Sequence, residues 1–215
     1  PPALTLVDLT LAANAPARFF RAGLGDTLAK YLESTFSARG DELGGALDHM
    51  SAIGVSLSST CYDPIIRFGR QALSEVEHRE AGPAMEMCAR SVILSAGLVS
   101  LMADDNYNCA LAHAVCYGLQ HFEHVEQEYL HGDLVAYGAL VQLAVDGQLD
   151  KARELRAFLI SLGTPVTLAQ MRVPLEKTAL HDALIEATTG PDMAHIPYPV
   201  TQDMVFDAMR RVETL

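Results

Sequence analysis

Apolar positions recur at helical spacing along most of this chain. Asn14 can cap a helix that has Pro16 in its first turn, and Phe19, Phe20, Leu24, Leu28 and Tyr31–Leu32 then follow three or four residues apart. Asp41 starts a second predicted helix with Leu43, Leu47, Met50 and Ile53, which ends before Asp63-Pro64. The segment PIIRFGRQALSEVEHREA forms a third and stops at Gly82-Pro83. The next segment, PAMEMCARSVILSAGLVSLM, is apolar nearly all round, the pattern of a central buried helix, and Asp104-Asp105-Asn106 breaks it. The pattern predicts helices over 107–120 and 132–146 and leaves 121–130 unassigned. LDKARELRAFLISLG is amphipathic and closes on Gly163, the residue expected just past a helix end. Two further helices, about 176–189 and 201–213, flank a Pro-rich turn at 190–199.

One segment departs from this pattern. ALTLVDLT, bounded by Pro1-Pro2 and by Asn14-Ala15-Pro16, reads as a β-strand over Leu4–Thr10. A single strand leaves its backbone groups without a ladder. The expectation is therefore that it pairs with something outside this sequence or lies on the helices as an arm. With no initiating Met, the expectation is also that the chain is a piece of a larger protein.

Composition narrows the classes. The 215 residues are half hydrophobic and one-fifth charged, enough to bury a large core, and the formal net charge is −12. That sign disfavours nucleic acid and anionic membrane surfaces as partners. Cys61, Cys88, Cys109 and Cys116 form no CxxC pair and read as free thiols in a reducing, cytoplasmic setting. The apolar runs around 91–102 and 134–145 are too short or too interrupted to span a bilayer.

Four of the eight histidines, His113, His121, His124 and His131, lie between residues 111 and 138. On one straight helix His113 and His131 would share a face but stand about 27 Å apart, too far to share an ion. A bend in the polar, Glu-rich stretch 120–131 would bring them together. His121 and His124 have ligand spacing too, but they read better as solvated imidazoles. His113 lies among small apolar residues, where a histidine is either a hydrogen-bonded core residue or a ligand joined by a carboxylate. Asp26 is the candidate carboxylate. It follows Gly23 and Gly25, each costing about 1 kcal/mol in a helix relative to Ala. Either the glycines admit a close helix crossing with Asp26 exposed, or they clear space around Asp26 for a ligand.

Three segments, NAPARFFRAGLGDTLAKYLES, ALAHAVCYGLQ and HGDLVAYGALVQLAVDG, occur in that order. Together they resemble the C-terminal domain of the glycerol dehydrogenase group in the iron-containing (metal-dependent) alcohol dehydrogenase family. The resemblance covers residues about 14 to 147, and the later helices fit the same domain. It implies an all-α helical bundle, a dehydroquinate synthase-like C-terminal domain, preceded by the one N-terminal strand. Residues 1–13 would be strand and linker from a Rossmann-like NAD domain that is not in this sequence, and 14–215 the helical metal-binding catalytic domain.

The resemblance implies that Asp26, His113 and His131 ligate one divalent metal, Zn²⁺ or Fe²⁺, that polarises the hydroxyl or carbonyl of a small polyol, alcohol or 2-hydroxy acid. NAD(P) would be bound by the Rossmann-like domain in cis or in trans, and the isolated chain would not turn over. A homo-oligomer is expected. A stand-alone metal-dependent lyase or isomerase, or a non-catalytic oligomerising domain, are the other readings. The sequence departs from the family pattern at Cys116-Tyr117, where His-Asn is common, and in MADDNYNCAL before His113, often Gly-rich. Tyr117 would narrow the substrate pocket or donate a hydrogen bond there, and these departures leave the substrate open.

Overall fold

The computed structural model describes residues 3–44 and 47–215, and these contain no strand. Helix α1 (Leu9–Ala13) leads into a long helix, α2 (Ala17–Gly44), followed by α3 (His49–Leu57) and α4 (Ser59–Glu77). Then come α5 (Pro83–Arg90), a π turn (Ser91–Ser95) and α6 (Ala96–Met102). The second half holds α7 (Leu111–Leu119), α8 (Glu123–Glu128), α9 (His131–Val145), α10 (Leu149–Leu162), α11 (His181–Thr189) and α12 (Gln202–Val212). Helix α9 is the centre, packed against α2, α7, α10 and α12. Every residue from Gly132 to Ala144 is buried in it.

Small residues make this centre possible. A Cβ on Gly132 would sit 2.0 Å from the Ala22 carbonyl oxygen of α2, and one on Gly25 would sit 2.6 Å from the Gly132 oxygen. A Cβ on Gly138 would meet the Ala112 oxygen of α7 at 2.1 Å. Backbones thus touch at both crossings. Buried polar groups fix the register. Asp133 receives a bidentate bond from Arg21, at 3.1 and 2.9 Å. The Gln142 amide donates to the Leu32 oxygen at 3.0 Å and accepts from the Ala112 N–H at 3.2 Å.

Several expectations change. The strand over Leu4–Thr10 does not form. No partner strand exists among the described residues, and the Asp8 side chain accepts from Thr10 N and Leu11 N to start α1. Pro1 and Pro2 lie outside the described residues. Asn14 caps the C-terminus of α1 rather than starting α2. Asp41 starts no helix, because its carboxylate is used in tertiary contacts with Tyr107 and His195. Helix α2 runs on to Gly44, and Asp48 caps α3. The placement of the Leu43 side chain lies outside the described residues. The break expected at Asp63-Pro64 falls at Ser58, and Pro64 sits inside α4. Cys109 precedes α7 rather than lying in a helix. Helix α11 begins at His181, later than the expected 176.

The largest change concerns Pro83–Met102. This continuous 20-residue helix is long and apolar enough to cross a membrane by length and composition, which the shorter run 91–102 did not suggest. It is not the centre of the fold. One side packs on α2, α3 and α4, while Met87, Ile93, Leu94 and Leu101 are exposed. Beside it, Val7 and Leu9 close a groove of about 550 Å³ lined by Ala89, Ile93, Leu94, Leu98 and Leu101. By contrast, Gly163 ends α10 at φ +73°, as expected.

Two predictions follow from the packing. Gly132→Ala should destabilise the chain by about 1–3 kcal/mol or more, because two backbones must separate. Gly97→Ala, with nothing among the described residues within 4 Å of the added Cβ, should leave stability unchanged or raise it by up to about 1 kcal/mol. Urea unfolding reads both.

The second concerns Asp146, whose carboxylate accepts from Arg39 at 2.6 Å and from the Tyr198 hydroxyl at 2.8 Å. Burial raises its pKa, but the Arg39, Gln148 and Tyr198 bonds outweigh that and lower it. A lowered folded-state pKa gives stability that is present above the unfolded carboxylate value of about 3.9 and lost as pH falls below it. Asp146→Asn should therefore cost roughly 1–3 kcal/mol at neutral pH. It should also flatten the acid limb of a thermal-stability profile between about pH 5 and 2.

Candidate metal centre

Two helix starts and one helix flank meet at a single point. Asp26 projects from α2 just past Gly25, where α9 crosses. His131 is the first residue of α9 and His113 lies in the first turn of α7. One ligating atom from each of the three lies within 4.8 Å of the others. The Asp26 carboxylate is 3.4 Å from His113 Nε2, and the two imidazole centroids are 5.4 Å apart. The bend in 120–131 is real: the chain turns at Gln120, forms the short α8, and leaves it in extended backbone at Tyr129 and Leu130. The close-crossing reading of Gly25 holds, and the crossing aims Asp26 at the histidines rather than leaving it fully exposed.

Sequence reasoning missed Glu33. It lies two turns beyond Asp26 on α2 and is fully buried. One carboxylate oxygen accepts from Ala110 N at 2.8 Å and His113 N at 2.9 Å, capping buried N–H groups at the start of α7. The other lies 2.7 Å from His113 Nδ1. This fixes Nδ1 as the protonated nitrogen facing Glu33 and turns Nε2 toward Asp26, the usual arrangement of a ligating histidine. Its only sequence signal is a Glu seven positions after Asp26, on the buried face of an apolar helix.

The charged groups of the cluster pair with one another. Burial opposes a charged His113, but Glu33 and Asp26 outweigh it and hold its pKa above the ordinary histidine range. Burial likewise opposes an ionised Asp26, yet His113, His131 and Lys30 together lower its pKa. Burial lowers the pKa of His131. One carboxylate and two imidazoles, one of them already backed by a buried carboxylate, form a donor set suited to a borderline divalent cation with an open position.

Tyr117 is half-exposed, with its ring centroid 6.2 Å from that of His113 and 6.0 Å from that of His131. It borders the cluster. Cys116 is buried beneath His131, its Sγ 3.4 Å from Nδ1, and burial pushes the thiol up to about 12. Asp192, in the 3₁₀ turn Pro191–Met193 that packs on α7, has a buried carboxylate oxygen without a partner among the described residues. His121 and His124 stay outside the cluster. His124 contacts the Met171 oxygen at 3.1 Å, and His121 faces Glu186 at 3.9 Å.

No family model matches the chain. Comparison with curated proteins gives hydroxycarboxylate dehydrogenase A of Escherichia coli strain K12, 31% identical over 98% of this chain and 58% of that protein. Glycerol dehydrogenase of Thermotoga maritima is 32% identical over 99% of this chain and 58% of its own length. Among solved structures, a probable glycerol dehydrogenase from Sinorhizobium meliloti 1021 superposes with a TM-score of 0.82 at 26% identity, over 96% of this chain and 58% of that one. The chain thus spans somewhat over half the length of the relatives it matches. It belongs to the iron-containing alcohol dehydrogenase family and corresponds to the C-terminal part of its glycerol dehydrogenase-like members.

Proposed function

We propose that Asp26, His113 and His131 are the ligands of one divalent ion, Zn²⁺ or Fe²⁺, in the metal-binding half of a dehydrogenase for a small polyol, alcohol or 2-hydroxy acid. The observation that carries this is the convergence of the three ligating groups from three helices, with Glu33 already orienting one of them. An ion held there would polarise the substrate's hydroxyl or carbonyl for hydride exchange with a nicotinamide cofactor. The chain's own groups do the rest. Asp26 supplies charge compensation, Glu33 holds His113 in one tautomer, and Tyr117 narrows the approach to both imidazoles.

NAD(P) belongs in this reading to a Rossmann-like domain in cis or in trans. Residues 1–13 would link to it, and 14–215 would form the dehydroquinate synthase-like domain. Leu4 and Leu6 are 79% and 89% exposed, and with the face of Ile93, Leu94 and Leu101 they give such a domain, or further copies of this chain, an apolar surface to cover. A cytoplasmic location goes with the acidic charge, the four free thiols and the named dehydrogenase relatives.

Elemental analysis of purified protein should find up to one divalent ion per chain. His131→Ala should lose most of it, since two ligands rarely hold Zn²⁺ tightly. Glu33→Gln can present an N–H to His113 Nδ1 and move the ring proton to Nε2, so it should weaken binding roughly 10- to 100-fold. Unchanged metal content in both variants would refute the site.

Turnover needs the nicotinamide carbon within about 3–3.5 Å of the substrate carbon. NADH absorbance should therefore stay at background when this chain alone is given NAD with glycerol, 1,2-propanediol or a 2-hydroxy acid. Supplying the nucleotide-binding domain should give turnover that Asp26→Ala abolishes. Robust NAD reduction by the isolated chain would contradict this division of labour.

A further inference from the structure

The two histidines of the cluster are held in unequal ways. His113 Nδ1 faces the buried carboxylate of Glu33. Among the described residues, no carboxylate lies within hydrogen-bond distance of His131 Nδ1. Its hydrogen-bond partner among the described residues is the Cys116 sulfur, 3.4 Å away, and that sulfur also lies 3.7 Å from the His131 carbonyl oxygen. A thiol has one hydrogen to give and lone pairs to accept with. Given to the carbonyl, that hydrogen leaves the sulfur to accept the Nδ1–H of the same residue. The two contacts fix the ring and its own backbone together. They also choose the tautomer that carries its proton on Nδ1 and leaves Nε2 free.

We infer that Cys116 is the positioning residue of His131, a neutral sulfur acceptor that does for this imidazole what Glu33 does for His113. The inference rests on the metal-centre reading above. Chain geometry supports it, because Cys116 lies three residues after His113 on α7 and so shares its helix face. One turn of α7 thereby carries one ligand and the support of the other. The sulfur is wholly buried, so water does not stand in for it.

Charge explains why a neutral group suits this place. Asp26 and Glu33 already bring two negative charges to the cluster, which balance the two positive charges of a divalent ion. A second buried carboxylate behind His131 would leave the site net negative with no cation to offset it, at a cost in desolvation. A thiol orients the ring without adding charge.

The test measures Zn²⁺ and Co²⁺ affinity by competition with a chromogenic chelator in the wild type, Cys116→Val and Cys116→Ser. Thermal melting of each metal-free protein runs alongside. Valine keeps apolar bulk but cannot accept a hydrogen bond, and serine keeps both donor and acceptor. The expected result is affinity roughly 10- to 100-fold weaker in Cys116→Val, with a shifted Co²⁺ visible spectrum. Cys116→Ser should recover most of the affinity, whatever its melting temperature. A valine variant that binds as the wild type does, or a serine variant that binds no better than valine, would overturn the role of Cys116 and leave the metal centre standing. Absence of binding in the wild type would overturn the metal centre and this inference with it.

Discussion

The contact between α2 and α9 at Ala22, Gly25 and Gly132 decides most of this structure. No side chain fits there, since an added Cβ on Gly132 would stand 2.0 Å from the Ala22 oxygen. With the backbones touching, Asp26 and His131 are brought to the same place from two helices far apart in sequence. Arg21 and Asp133 lock the crossing from one side, and Gln142 ties it to α7 from the other. Rigid elements rather than loops therefore carry the three side chains proposed as ligands, which is what a site needs to hold its geometry.

Around that crossing the polar groups sort by task. Glu33 serves two ends at once, satisfying the N–H groups at the start of α7 and aiming His113. A buried carboxylate would ordinarily be costly, and here its cost is offset by hydrogen bonds and by the charge of the cluster. Farther along α2, Asp41 holds Tyr107 and His195, and Arg39 donates to Asp146 at the end of α9, which also accepts from Tyr198. These contacts hold the long α2 in place at its far end.

Much of this was legible from residues alone. Gly163 announced a left-handed helix end, and the polar stretch 120–131 announced the bend that joins His113 to His131. Elsewhere the sequence carried two similar signals and only tertiary structure chose between them. Asp41 and Asp48 are both good caps, but Asp41 is engaged by Tyr107 and His195. Pro83–Met102 read as the central helix because it is apolar nearly all round, but small residues give that place to α9: it has Gly132, Gly138 and several alanines that admit neighbours, whereas Pro83–Met102 presents Ile93, Leu94 and Leu101 outward. Glu33 was invisible because a single glutamate in a helix reads as a solvated charge. The run Leu4–Thr10 looked like a strand because β propensity is local, while a ladder needs a partner.

The central claim is that one ion sits between Asp26, His113 and His131. Anomalous X-ray scattering measured at the zinc edge on crystals grown with Zn²⁺ tests it most directly. The account predicts one strong peak within bonding distance, about 2 Å, of one Asp26 carboxylate oxygen and one nitrogen of each histidine. No peak there, or a peak only at surface histidines such as His121, would contradict it.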